Sequence, residues 1–191
     1  YKILVELAGT NYDERICFHI YNEPLMDPRL FVFLKYVKTS MPKSQILIYS
    51  NAYYLTETIM QELIEAGMDI LTVTAYSDAE YERLKSIDLK VPYKVIRGEL
   101  DDRLDYYNTA VDEIDSHKKC MGLLYQVPIY VNGDLGICCL DYLHSYGLGN
   151  VFHNSLRNIL NSERVVEFQM KLLDGENVFT ICQNCGWSLY I

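Results

Sequence analysis

Two hydrophobic periods alternate along the first hundred residues. Residues 1–9 (YKILVELAG) carry apolar side chains at helical spacing and stop at Gly9, a C-terminal cap signal. Residues 16–21 (ICFHIY) form a short, continuous apolar run, the pattern of a strand buried on both faces. A helix is predicted from Pro28 to about Ser40, with Asp27 as its N-cap and Pro28 as its first helical residue. Residues 45–50 (QILIYS) give the next strand, and Thr56 caps a helix that runs to Ala66 and ends at Gly67. Residues 69–75 (DILTVTA) predict a third strand and 78–87 a shorter helix. Residues 92–97 (PYKVIR) make a fourth strand, with Pro92 at its entrance. This alternation is an α/β pattern: about four parallel strands joined by right-handed crossovers, in an open sheet or a partial (β/α) barrel. In such sheets the chemistry lies at the carboxyl ends of the strands.

The rhythm changes after Gly98. Residues 99–119 are acidic and predict a helix over Arg103–Ile114. Residues 125–139 (YQVPIYVNGDLGICC) read as a β-hairpin around Asn132-Gly133, a tight-turn signal between apolar runs. Ser155 caps a helix near 155–161, residues 163–173 are amphipathic, and the chain closes on CQNCGW. The expected organisation is therefore residues 1–98 as a partial barrel, 99–119 as a helical connector, and 120–191 as a small α+β domain.

Composition narrows the function. Twenty-six acids against 17 bases give a formal net charge of −9. No basic stripe is available for a phosphate backbone, so nucleic acid is not an expected partner. No apolar run approaches the roughly 20 residues of a membrane-spanning helix. The start shows no signal-peptide pattern, so a reducing, cytoplasmic setting is expected. The chain opens at Tyr1, inside a helical pattern, which leads us to expect further sequence upstream.

Five of the six cysteines fall after position 119; Cys17, in the first predicted strand, reads as a small core hydrophobe. Cys120 is followed by 12 residues and Gly133, then by four residues and Cys138; 43 residues later comes the pair Cys182-x2-Cys185. A C-x-x-C pair on a turn brings two sulfurs within reach of one ion or cluster. A hairpin that turns at Gly133 would carry Cys138 back toward Cys120. Cys139 would point to the opposite face of the strand, which favours Cys138 over Cys139 as the ligand. Spacing alone points to a thiolate metal site and leaves zinc and iron–sulfur open.

Residues 120–187 resemble the C-terminal auxiliary-cluster region, called SPASM or twitch, of radical S-adenosylmethionine (radical SAM) enzymes. The family pattern C-x(9–15)-G-x(4)-C is met by Cys120, Gly133 and Cys138. The segments VNGDLGICCLDY and LGNVFHNSLRNIL are also similar to family text. With only Cys182 and Cys185 trailing, the resemblance implies the twitch form, with one auxiliary [4Fe–4S] cluster on Cys120, Cys138, Cys182 and Cys185. In the front half, YNEPLMDPRL resembles the "GGEP" segment of radical SAM barrels and IYSNAYYLTE the "TNG" segment. The resemblance implies that Asn22, Glu23 and Pro24 serve the amino group of S-adenosylmethionine, that Ser50 and Asn51 lie near its ribose, and that Arg97 serves its carboxylate.

For function, the resemblance implies a radical SAM oxidoreductase or maturase. A 5′-deoxyadenosyl radical would abstract hydrogen from a peptide or amino-sugar substrate, with an electron-donor protein as a further partner. The sequence also departs from the family. Tyr21 and Asn22 replace the two glycines of "GGEP", and Ala52 replaces the glycine of "TNG". The C-x3-C-x2-C loop that binds the radical-generating cluster does not occur between Tyr1 and Ile191. A non-catalytic module that carries one cluster, or zinc, for peptide binding or electron transfer is therefore the alternative.

Overall fold

Every second residue of the first four strands meets helices, and this alternation organises the N-terminal half. The structure is a computed structural model, and it describes residues 1–87, 92–98, 122–176 and 178–183. Backbone contacts divide the chain into two compact units, Tyr1–Leu100 and Asp101–Ile191.

In the first unit the order is α1 (Lys2–Ala8), β1 (Arg15–Cys17), a 3-10 turn (Pro24–Met26), α2 (Leu30–Ser40), β2 (Gln45–Ser50), α3 (Glu57–Glu65), β3 (Ile70–Ala75), α4 (Asp78–Lys85) and β4 (Tyr93–Arg97). The strands form one sheet in the order β1-β2-β3-β4, and every neighbouring pair is parallel. Such an arrangement needs a crossover between consecutive strands, and α2, α3 and α4 supply them. The expected α/β class and the four parallel strands are both present.

The core lies on one face of the sheet. Leu4 of α1, Leu34 and Val37 of α2, Met60 and Leu63 of α3 and Leu84 of α4 pack on Ile16, Ile46, Ile48, Leu71 and Val73. Loop ends are tied by local chemistry. The Thr56 hydroxyl accepts from Ile59 N at 3.2 Å, and the Ser77 hydroxyl accepts from Glu80 N at 3.2 Å. Asp69, just ahead of β3, accepts from Lys38 Nζ at 2.6 Å and from Ile46 N at 2.7 Å, which ties α2, β2 and β3 together at the amino end of the sheet.

Three local expectations change. The first strand covers only Arg15–Cys17, and Ile16 alone is buried there. Because the unit's helices pack on one face and β1 is an edge strand, Cys17 is exposed and is not a core residue. The second helix starts at Leu30 rather than at Pro28. Arg29, not Asp27, is its N-cap; the Asp27 carboxylate accepts from Arg29 N at 2.9 Å within a turn, residues 28 and 29, ahead of the helix. In the second unit the expected hairpin is reduced to a tight turn with one antiparallel bridge, Ile129↔Leu135. Residues Gly122–Tyr125 form a helical turn, α5, which takes the first residue of the expected hairpin. The second arm is shared: Leu135 N donates to Gly149 O at 2.8 Å while Gly136 N donates to Pro128 O at 3.0 Å, so no two-stranded ladder extends.

The rest of the second unit holds α6 (Leu156–Leu160), α7 (Glu163–Leu173) and α8 (Thr180–Gln183). Ser155 and Ser162 cap α6 and α7 through Asn158 N and Val165 N. The predicted helix over Arg103–Ile114 and the connector 99–119 lie outside the described residues. Among those described, no helix is long and apolar enough to cross a membrane.

Gly67 ends α3 at φ 100°, and a Cβ there would run into Lys38 Cγ. Gly67→Ala should therefore destabilise the protein by at least about 1 kcal/mol, through backbone strain and displacement of Lys38 from Asp69. A urea denaturation midpoint equal to that of the wild type would contradict this.

Candidate functional site

The residues expected at the cofactor site fall at the carboxyl ends of β1 and β2. The chain leaves β1 through Phe18 and His19, and Asn22 then shapes the turn. Its Oδ1 accepts from Ile20 N at 3.2 Å and its Nδ2 donates to Phe18 O at 3.1 Å. Glu23 follows in extended backbone conformation as the N-cap of the 3-10 turn that begins at Pro24. Three donors converge on the Glu23 carboxylate. Oε1 accepts from Leu25 N at 3.0 Å and from the Ser50 hydroxyl at 2.7 Å, and Oε2 accepts from Asn51 N at 2.8 Å. One side chain thus locks the loop after β1 onto the end of β2, with charge-assisted hydrogen bonds.

The loop after β2 is shaped by the same network. The Ser50 hydroxyl accepts from Ala52 N at 2.9 Å, and Asn51 Oδ1 accepts from Tyr53 N at 2.9 Å. Ala52 is buried at φ 57°, a left-handed conformation that costs an L-residue about 1–2 kcal/mol. This is the position where the family pattern carries glycine, so the backbone demand is kept while the residue has changed.

An open depression in front of this loop is lined by Tyr21, Asn22, Glu23, Met26, Asp27, Pro28 and Arg29. Tyr21 is exposed at its edge, and Tyr53, Tyr54 and Tyr76 place exposed rings on the loops after β2 and β3. Exposed aromatic rings suit stacking on a planar or sugar-like ligand.

Arg97 is not brought to this cluster. It pairs with Ala75 in the β3–β4 register, on the face that the helices cover. There it forms an ion pair with Asp78, and its guanidinium lies 4.1 Å from the centre of the Tyr81 ring. The strand end was legible in the sequence, but the side of the sheet was not.

In the second unit, packing brings two distant cysteines together. Gly133 turns the chain at φ 83°, as its place after Asn132 predicts, and a Cβ there would press on Phe152. Beyond it, Tyr130 and Asp141 hold the Cys138 loop. The Tyr130 hydroxyl reaches Cys138 O at 3.2 Å and Asp141 O at 3.0 Å, and its ring stacks on His144 at 3.6 Å. The fully buried Asp141 carboxylate accepts from Ser145 N at 2.9 Å and Tyr146 N at 3.3 Å. Tyr146 in turn packs on Phe179 at 4.2 Å, and Phe179 stacks on Phe168 of α7 at 3.9 Å. Phe179 O accepts from Cys182 N at 2.9 Å, so the anchored ring carries Cys182 into place.

Cys138 and Cys182 are half-buried, and close enough for Cys182 to add to the upward shift of the Cys138 thiol. Burial above all pushes the Cys138 thiol up to about 12. A metal or cluster would displace that proton and replace the lost solvation with sulfur–metal bonds. Cys139 is exposed. Cys138 and Cys139 therefore differ through a loop rather than through strand alternation, because residues 138–140 are not a strand. Cys120 and Cys185 lie outside the described residues. Among the described residues no group of three or more His, Cys, Asp or Glu is placed to hold an ion. The donor set fits a soft-metal site: two adjacent thiols, joined in sequence by two further cysteines at the expected spacing. Sequence reasoning missed Tyr130, Asp141 and Phe179 as supports, because they act through hydrogen bonds and ring packing that appear only in the folded unit.

Comparison with known proteins agrees with this layout. Residues 120–186 match the family model of SPASM, an iron–sulfur cluster-binding domain. The chain is 27% identical to the S-adenosyl-L-methionine-dependent 2-deoxy-scyllo-inosamine dehydrogenase of Niallia circulans, over 97% of this chain and 78% of that protein. Its fold is that of BtrN. The crystal structure of BtrN in complex with AdoMet and 2-DOIA superposes with a TM-score of 0.81, at 23% identity over 97% of this chain and 78% of that one. The open conformation gives 0.75 at 24% identity, over 97% and 77%. Residues 120–186 are thus similar to the SPASM family and the fold as a whole to that of BtrN, in agreement with the resemblance read from the motifs.

Glu23→Gln should lower stability by about 1–3 kcal/mol, because the new amide NH2 opposes a donor that the carboxylate now satisfies. Urea denaturation monitored by tyrosine fluorescence checks this; an unchanged midpoint would show that the carboxylate holds nothing.

Proposed function

We propose that this protein is a radical SAM oxidoreductase that oxidises a small aminated polyol of the aminocyclitol or amino-sugar class. The observation that carries this reading is the Glu23 clamp, which fixes the ends of β1 and β2 to each other. The similarity to a 2-deoxy-scyllo-inosamine dehydrogenase favours an amino-sugar-like substrate over a peptide.

In this reading Asn22, Glu23 and Pro24 present the turn that receives the amino end of S-adenosylmethionine, and Ser50 and Asn51 flank its ribose. Arg97 is the weakest member of the set, since Asp78 already neutralises it. When bound, S-adenosylmethionine and a site-differentiated [4Fe–4S] cluster supply a 5′-deoxyadenosyl radical for hydrogen abstraction. Cys120, Cys138, Cys182 and Cys185 would hold one auxiliary [4Fe–4S] cluster, the twitch arrangement. The chain's own work is to fix the two loops, exclude water from the strand ends and hold the substrate there. A reducing, cytoplasmic setting and an electron-donor protein complete the reading, because exposed iron–thiolate chemistry needs both.

The test is made on the intact protein, reconstituted with iron and sulfide without oxygen and given a reductant. With 2-deoxy-scyllo-inosamine it should form 5′-deoxyadenosine and a carbonyl product in step. Glu23→Ala should weaken S-adenosylmethionine binding by tenfold or more in calorimetry. Cofactor cleavage indifferent to every aminocyclitol offered, together with wild-type cofactor affinity in Glu23→Ala, would overturn the reading.

A further inference from the structure

Parallel pairing places registered residues on the same side of the sheet, so the strand pairs define its two faces. The helices of the first unit pack on the face of Ile16, Ile46, Ile48, Leu71 and Val73. The other face carries Cys17, Leu47 and Tyr49, with Ile70 and Thr72 opposite the last two. The alternation continues past β1. Phe18 turns to the helices and stacks on Phe33 with ring centres 6.2 Å apart, and His19 turns the other way, its ring 4.5 Å from that of Tyr49. His19 therefore stands at the carboxyl end of β1, on the side away from the helices, four residues before Glu23.

Its hydrogen bonding is incomplete. Nδ1 is buried and has no hydrogen-bond partner. An unpaired buried polar group costs about 1–3 kcal/mol, and an apolar ring of the same shape would avoid the penalty. Burial keeps the imidazole neutral by lowering its pKa, against the opposing charge of Glu23. A neutral imidazole has one N–H and one bare nitrogen. A buried N–H without an acceptor is rarer than a bare acceptor, so the proton belongs on Nε2. The imidazole is then a neutral donor with a fixed tautomer, braced by the tyrosine ring, at the strand end where this fold places its chemistry.

We infer that His19 contacts the substrate, its Nε2–H donating to a hydroxyl or carbonyl oxygen of a polyhydroxylated ring that packs beside Tyr49. This deepens the oxidoreductase reading above and rests on it. A donor that is neutral at physiological pH suits a substrate that also bears an ammonium group, because it adds no like charge to the site.

The experiment uses the intact, cluster-loaded protein saturated with S-adenosylmethionine, with 2-deoxy-scyllo-inosamine titrated by calorimetry. His19→Phe keeps the ring and removes the donor, and should weaken aminocyclitol binding about tenfold. It should leave cofactor affinity unchanged and stability equal or higher, since no native hydrogen bond of Nδ1 is lost. His19→Gln returns an N–H donor and should recover most of the affinity. If wild type and His19→Phe bind the aminocyclitol equally, the inference fails while the functional reading stands. If wild type binds none at all, both fail. A His19→Phe variant that loses stability and cofactor binding together would show His19 to be structural, and would overturn the inference as well.

Discussion

One carboxylate holds the N-terminal site together. Glu23 receives a backbone N–H from its own turn, a hydroxyl from the last residue of β2 and a backbone N–H from the residue after it. Loop ends at the edge of a sheet have no ladder to fix them, and here the fixing is done by three donors on one anion. The positions of Pro24, Ser50, Asn51 and the left-handed Ala52 are all set by it.

The second unit solves a similar problem by packing. Cys138 and Cys182 are far apart in sequence, and no ladder or helix spans the gap. The connection runs through the buried Asp141 carboxylate to the backbone of Tyr146, from the Tyr146 ring to Phe179, and from Phe179 to Cys182. Tyr130 fixes the other side of the Cys138 loop from above Gly136, where any side chain would collide with its ring. A thiol pair held this firmly before a metal arrives has already lost the entropy that binding would otherwise cost.

Much of this was legible in the sequence, and for identifiable reasons. The strands at 45–50 and 70–75 and the caps Thr56, Ser155 and Ser162 are local signals, and local chemistry decides them. Motifs group Glu23, Ser50 and Asn51, and the structure brings them into one network. What escaped depends on partners distant in sequence. Cys17 reads as core only if helices cover both faces, and in this unit they cover one. The hairpin at 125–139 shortens because Leu135 makes its backbone hydrogen bonds with Leu148 and Gly149 rather than with the first arm. Arg97 sits at a strand end as expected, but the side it faces is set by the β3–β4 register, which no motif encodes. His19 carries no motif at all. Its signal is an unpaired nitrogen, visible only once the surroundings are known.

The central claim is that the four cysteines bind a cluster rather than a single ion. The most direct measurement is iron, acid-labile sulfide and zinc per chain on residues 1–191 purified without oxygen, for wild type, Cys138→Ala and Cys139→Ala. About four irons and four sulfides should be found in wild type and in Cys139→Ala, with a marked loss in Cys138→Ala. One zinc and no iron, or equal iron in all three proteins, would contradict it.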